Sequence, residues 1–412
     1  MILLIIFIQL SLINSELQIN ETAYKMKYIL NKYKSYRQCR CAENNKEYSK
    51  LKNFTENTLK FLEKTERYGE YLKHYNVSDC HVSENRDSSY NFQHIVEGLL
   101  IHSDVPVTHW DEYKTAYNKN YSNVLHERTS HSIWRDNLER VAKHNQQYLA
   151  GEKSYSLHLN HFGDWHISVY IKQILKLIKT IPLFDPFQDH EKRAYQENMH
   201  RRIPKRFDWR AKGFRPRREE QWHCGACYAF AVAHALQAQL YKKHRDWKEL
   251  SPQQIVDCSL KDGNLGCDGG SLQAAMRYAA RDGLMMETHY PYLGKRGRCH
   301  YNSRAIRVRA RRWAMLPKDE DAIELALATI GPLAVAVNAA PFTFQLYKSG
   351  IYDDPFCVPW GLNHAMLLVG YTPDYWILLN WWGKQWGEDG YMRIRRGFNI
   401  CGIANMATYV EL

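Results

Sequence analysis

The chain has 412 residues, 45% of them hydrophobic and 24% charged, which suffices for two or three packed domains and excludes wholesale disorder. Its formal net charge of +12 favours acidic neighbours such as a glycosaminoglycan, an anionic membrane or nucleic acid. No RNA- or DNA-binding signature accompanies that charge, so nucleic acid is not expected as a partner.

The first element is an apolar run, Met1 to Leu12, broken only by Gln9 and Ser11, with the first charge at Glu16. A bilayer span needs about 20 apolar residues, so the run suits a signal peptide over residues 1–15. No later segment is long and apolar enough to span a membrane. Acceptor sequons follow at Asn20-Glu21-Thr22, Asn53-Phe54-Thr55, Asn76-Val77-Ser78 and Asn120-Tyr121-Ser122. With ten cysteines they predict the secretory route, ending in a lysosomal or extracellular protein. Residues 16–107 form an N-terminal extension without a motif. Its cysteines, Cys39, Cys41 and Cys80, leave one unpaired after any single disulfide.

From Trp110 the texture becomes helical. Glu127, His131, Trp134, Asn137, Val141 and Asn145 recur at spacings of three and four, so they share one helix face. A strand-like Tyr155 to Asn160 comes next, then Phe162 and Asp164. In residues 167–184, Ile167, Tyr170, Ile171, Ile174, Leu175, Ile178 and Ile181 repeat at helical spacing, with Lys172, Lys176 and Lys179 on other faces. The pattern predicts a helix packed on the rest of the protein, a membrane-surface helix being the alternative. Gln188 to Arg202 reads as a polar linker open to proteolysis.

Beyond Ile203 the chain reads as globular. A buried, alanine-rich helix is predicted over Ala226 to Lys243 and a second near Leu272 to Arg281. Short strands follow at Leu333 to Val337, Ala365 to Tyr371, Tyr375 to Asn380 and Gly390 to Arg395. A helical first half and a β-rich second half predict an α+β architecture with a cleft between two lobes.

The buried helix opens on Gln221-Trp222-His223-Cys224-Gly225-Ala226-Cys227-Tyr228. Cys224 and Cys227 form a C-x-x-C pair, which in other settings is redox-active or half a zinc site. No second ligand pair and no preceding βαβ pattern accompany it, so neither metal nor cofactor is implied. The alternative is Cys227 alone as nucleophile, its thiolate favoured by the helix N-terminus. Such a nucleophile needs a base, and the base an orienting partner. His364 and Asn380 lie 137 (227 to 364) and 153 (227 to 380) residues downstream. His234, inside the helix, is assigned a structural role.

These residues resemble the papain signature C-G-[SA]-C-[WY], with its His and Asn some 130–150 residues further on. The resemblance covers all of 203–412 and is strongest to cathepsin L-like members, through Ile203-Pro204, Phe207-Asp208-Trp209-Arg210, Cys267-Asp268-Gly269-Gly270, Trp386-Gly387 and Cys401-Gly402-Ile403-Ala404. It implies a papain-like two-lobed fold and a cysteine endopeptidase acting on protein and peptide substrates. Cys227 would attack the peptide carbonyl, His364 shuttle the proton, Asn380 orient the ring, and Trp382 shield that hydrogen bond. The Gln221 side chain and the Cys227 backbone N–H would form the oxyanion hole. Gly269 and Gly270 would pair with extended substrate, while Leu272, Ala365 and Met406 line a pocket for an apolar residue two positions before the scissile bond.

The seven cysteines beyond Ile203 fit one nucleophile and three bridges, and six cysteines allow 15 pairings. The resemblance implies Cys224–Cys267, Cys258–Cys299 and Cys357–Cys401. The helix at Glu127 to Asn145 resembles the E-R-F-N-I-N pattern of inhibitory propeptides, with His131, Trp134 and Val141 substituted. Asn160, Phe162 and Asp164 resemble G-N-F-D, with His158 for Gly. The expected organisation is therefore a signal peptide (1–15), an extension (16–107), an inhibitory propeptide with activation linker (108–202) and a catalytic domain (203–412), monomeric after maturation. Tyr228, Trp222-His223 and Trp381 depart from the family pattern, the last standing where a small Ser is usual. Two rival readings are a weak or silent papain-like interaction protein and a disulfide oxidoreductase using Cys224 and Cys227. Arg307, Arg309 and Arg311 alternate along a predicted strand and so share one face, with Lys295, Arg296, Arg298 and Arg312 nearby; a solvated face is the default and a polyanion site the sharper alternative.

Overall fold

A computed structural model describes residues 109–178, 203–245 and 248–412. The signal peptide, the extension with Cys39, Cys41 and Cys80, the sequons at Asn20, Asn53 and Asn76, and the linker 188–202 lie outside the described residues. The chain divides into two compact units between Lys153 and Ser154.

The first unit contains α1 (Trp110–Ala116) and α2 (Val124–Leu149). Asn123 caps α2, its side chain accepting from the His126 N–H at 2.9 Å. The buried face of α2 carries Trp134, Asn137, Val141 and Asn145, as their spacing predicts. Glu127 ties α2 to α1 by a 2.6 Å ion pair with Lys114 and a 3.2 Å hydrogen bond from the Trp110 indole. His131 stacks on Trp110 at 4.9 Å. Asn120, between the helices, is exposed, as a glycan acceptor must be.

The second unit opens with β1 (Tyr155–Leu157) and α3 (Ile167–Ile174), then β2 (Phe207–Asp208). Three helices follow: α4 (Cys227–His244), α5 (Pro252–Cys258) and α6 (Leu272–Arg281). After them come β3 (Leu284–Met285), β4 (Ile306–Val308), β5 (Arg312–Met315), α7 (Glu320–Thr329), β6 (Leu333–Val337), α8 (Phe342–Gln345) and β7 (Tyr347–Tyr352). The chain ends with β8 (His364–Tyr371), β9 (Tyr375–Leu379), β10 (Tyr391–Arg395) and β11 (Ala407–Glu411). Among the described residues the main sheet runs β1-β7-β10-β9-β8-β6-β11-β5, with β2 paired to β8.

Helix α4 is apolar nearly all round and buried from Cys227 to Leu240, the pattern of a central helix. It packs on α5 and α6 on one side and on β8, β6 and β11 on the other. The helical and sheet halves meet along it, so the start of α4 and the start of β8 face one seam. This is the papain-like α+β arrangement the sequence implies.

Two sequence expectations change. Among the described residues the helical stripe of 167–184 holds only through Ile174; Lys179 and Ile181 lie outside them. From there Leu175 and Leu177 are buried while Lys176 and Ile178 are half-exposed, a period of two, because the chain runs extended and pairs with Gly270. The arginine run is not one strand either: Arg307 lies in β4, Arg309 and Arg311 fall between β4 and β5, yet all three are exposed.

Candidate active site

Cys227 is the first residue of α4, and His364 the first of β8. Both are fully buried. Among the described residues Cys227 is the free cysteine. Cys224 is bonded to Cys267, Cys258 to Cys299 and Cys357 to Cys401. With Cys224 held by Cys267, no disulfide forms between Cys224 and Cys227, and a redox role for that pair loses its chemistry.

The His364 tautomer follows from its neighbours. Asn380 Oδ1 accepts the backbone N–H of Trp381 at 2.8 Å, which identifies that atom as the oxygen. His364 Nε2 lies 2.8 Å from the same oxygen and must therefore donate. His364 Nδ1 is left with its lone pair and no hydrogen-bond partner. The Trp382 ring lies 4.8 Å from the imidazole, tilted by 31°.

Gln221 is buried, and its amide donates to the Cys224 carbonyl at 2.8 Å. Its side-chain oxygen accepts from the Trp382 indole at 3.2 Å. Its backbone is fixed twice, by donation to the Trp381 carbonyl at 2.9 Å and by acceptance from the Tyr292 hydroxyl at 2.9 Å. Gly269 and Gly270 precede α6, whose first residue is the buried Leu272. Ala365 is buried beside His364, and its carbonyl accepts the Trp381 indole N–H at 2.9 Å. Met406 is half-buried just before β11.

A strip of backbone from α3 onward lies over these groups. The Ile174 carbonyl is 3.5 Å from the Gln221 amide nitrogen. The Leu177 N–H donates to the Asn363 carbonyl at 3.0 Å and the Ile178 N–H to the Gly270 carbonyl at 2.8 Å. Leu177 and Gly270 thus pair as parallel strands. Lys176 packs where side chains would sit on the glycines: a Cβ on Gly225 would lie 2.7 Å from the Lys176 Cβ, and one on Gly269 only 2.1 Å from the Lys176 carbonyl oxygen. The Lys176 ammonium also pairs with Asp268 at 3.2 Å. Upstream, Phe162 and Tyr170 set their edges against Trp382 at 5.4 and 5.6 Å. Asn160 donates to the Gln345 carbonyl at 2.9 Å, and β1 extends the sheet at β7. His223, exposed, stacks on Trp165 at 5.3 Å.

Burial sets the charge state beneath this strip. It pushes the Cys227 thiol up to about 12, although the backbone N–H groups of Ala365, Tyr228 and Cys227 pull it back. It brings the His364 imidazole down to about 4, against the hydrogen bond to Asn380. Both shifts favour the uncharged forms, the opposite of the thiolate–imidazolium pair an active cysteine nucleophile needs.

Sequence reasoning did not single out Gly225, Asn363 or Tyr292. A glycine between two cysteines has many explanations, and a carbonyl or hydroxyl contact across more than 70 residues leaves no local pattern.

Residues 203–411 match the papain family cysteine protease domain, and residues 110–167 match the cathepsin propeptide inhibitor domain (I29). The chain is 37% identical to cathepsin L of Sarcophaga peregrina over 73% of its own length and 91% of that protein. It is 36% identical to cathepsin S of Bos taurus over 76% of this chain and 95% of that one. The solved structure of digestive procathepsin L2 proteinase from the Tenebrio molitor larval midgut superposes with a TM-score of 0.67 at 33% identity, covering 74% of this chain and 98% of the other.

Proposed function

Because this chain belongs to the papain family of cysteine proteases and carries a cathepsin propeptide inhibitor domain, we propose that it is the latent precursor of an endopeptidase whose nucleophile is Cys227. The observation that carries the reading is the backbone strip 174–178, lying across Gln221, Gly225, Gly269 and Gly270 where Cys227 and His364 are fully buried. The strip bars substrate and withholds water from both reactive groups.

Maturation is proposed to cut the polar tract between residues 189 and 203 and release the strip. Water then returns, and the charged forms become affordable at the N-terminus of α4, where unpaired N–H groups favour a thiolate. His364 Nδ1 takes the thiol proton and Asn380 holds the imidazolium. The thiolate attacks the peptide carbonyl, and Gln221 with the Cys227 N–H stabilises the oxyanion. His364 protonates the leaving amine and later draws a proton from the water that cleaves the acyl-enzyme.

Leu272, Ala365 and Met406 bring no acid or base to the proposed pocket, which supports an apolar side chain two residues before the scissile bond. The three disulfides and the sequons support a secreted or lysosomal destination, and the exposed Arg307, Arg309 and Arg311 a polyanion as secondary partner. In the test, Cys227→Ala is incubated beside the wild type at acidic pH with a peptide bearing an apolar residue at the second position. The variant is expected to fold and cleave nothing. Retained cleavage would refute the nucleophile.

A further inference from the structure

His234 lies two turns into α4, seven residues past Cys227, and the proposed reaction gives it no part. It is 2% exposed, so its polar contacts must come from the protein. Its Nδ1 lies 3.0 Å from the Phe230 carbonyl, which can only accept. Its Nε2 lies 3.1 Å from the Glu219 carboxylate. Nδ1 therefore donates within the helix, and Nε2 is the nitrogen that faces the carboxylate. The result is a buried contact between two polar side chains, and such a contact fixes the groups it joins.

What it joins is the support of Gln221. Glu219 is two residues before Gln221. The segment Glu219–Gln221 pairs antiparallel with Trp381–Gly383: Glu220 bridges Trp382, the Gly383 N–H donates to the Glu219 carbonyl at 3.1 Å, and the Gln221 N–H donates to the Trp381 carbonyl at 2.9 Å. The same His234 ring packs on the Trp381 indole at 4.7 Å, and Phe230 stacks on that indole at 5.4 Å. One imidazole therefore grips both strands of this short ladder, one through a carboxylate and the other through an aromatic face. Trp381 in turn donates its backbone N–H to Asn380 and its indole N–H to the carbonyl of Ala365, which follows His364.

We propose that His234, paired with Glu219, is a positioning residue that sets the Gln221 amide through the ladder between Glu219–Gln221 and Trp381–Gly383. The inference rests on Gln221 being the oxyanion donor. A displacement of about 1 Å at such a donor can cost up to a hundredfold in rate, so loosening the ladder should cost about tenfold in kcat. Substrate binding along Gly269 and Gly270 is untouched, so KM should stay within about twofold.

The test uses full-length precursor matured at acidic pH, with active sites counted by an epoxide-type cysteine-directed inhibitor. The variants are Glu219→Gln, His234→Gln, their double, Gln221→Ala, and Gln221→Ala combined with each single change. The expected result is a tenfold loss of kcat for each single change at Glu219 and His234, and no further loss in the double. On the Gln221→Ala background neither should cost anything more, because what they position is gone. Full kcat in the single variants, or an undiminished tenfold loss on the Gln221→Ala background, would overturn the positioning role. If Gln221→Ala itself keeps full kcat, the oxyanion reading fails along with it. If only the His234 and Glu219 effects are missing, that reading stands and this inference alone falls. Should His234→Gln fail to fold, the Glu219 arm decides, since that carboxylate sits at the partly exposed end of the pair.

Discussion

The two faces of the turn from Gln221 to Cys227 are held by different chemistry. In front, the strip 174–178 is attached mainly through backbone: its N–H groups bond to Asn363 and Gly270, and its passage over Gly225 and Gly269 depends on the absence of side chains there. Behind, a short backbone ladder to Trp381–Gly383 is braced by side chains, with Trp381, His234, Glu219 and Tyr292 each meeting a specific partner. A main-chain attachment is nearly indifferent to sequence and suits a covering that another extended peptide can replace. A side-chain attachment is particular to its residues and suits a support that stays.

The sharpest way to break this contrast is Trp381→Ala at the rear. It empties a fully buried indole site and removes the ring under His234, so it should cost about 3–5 kcal/mol of stability. Denaturant unfolding of the precursor measures it, and a cost under about 1 kcal/mol would mean the rear is not the packed support described. Next in size is Gln221→Ala, at the junction of the two faces. Losing one oxyanion donor should lower kcat of the matured enzyme by about 10²–10³ with KM little changed. Steady-state kinetics on an apolar peptide decides it, and an unchanged kcat would remove Gln221 from the reaction.

A third prediction concerns pH. Burial lifts the Glu287 carboxyl to about 7; the Tyr292 N–H opposes this, and the carboxylates of Glu219 and Glu249 add to it. Its Oε1 accepts that N–H at 2.7 Å, and the Tyr292 hydroxyl supports Gln221, so Glu287 belongs to the rear face. The folded chain keeps a proton there that the unfolded chain releases near its ordinary 4.5. This contribution is full below about pH 4.5 and is lost as pH rises through 7. Allowing for partial exposure, the loss is about 1–2 kcal/mol. Glu287→Gln should flatten that slope in unfolding curves between pH 5 and 8, and an unaltered slope would contradict the assignment. The smallest effect belongs to the front: Lys176→Ala removes a largely solvent-facing pair with Asp268, and should weaken inhibition by an added pro-segment by at most about 1 kcal/mol. A loss of several kcal/mol would show that side chains, not backbone, hold the strip.

Legibility in the sequence follows the same division. Cys227, His364 and Asn380 stood out because chemistry fixes their types and family resemblance their spacing. The helix face of Glu127 to Asn145 was readable from periodicity alone. The end of α3 was not: Ile171, Ile174, Leu175 and Ile178 fit a helix as well as they fit a strip, and the choice lay with carbonyls at Gly270 and Asn363, far along the chain. His234 reads as structural, because a lone histidine in an apolar helix has no sequence signal linking it to Glu219. Trp381 departs from the family pattern in sequence, but only the packing shows its neighbours to be His234 and Phe230.

The central claim is that Cys227 is the nucleophile and is silent until the strip leaves. Intact precursor and acid-matured protein are each treated with an epoxide-type cysteine-directed inhibitor, digested and mapped by mass spectrometry. The expected result is one label, on Cys227, in the matured protein and none in the precursor. Equal labelling of the precursor, or a label on any other cysteine, would contradict it.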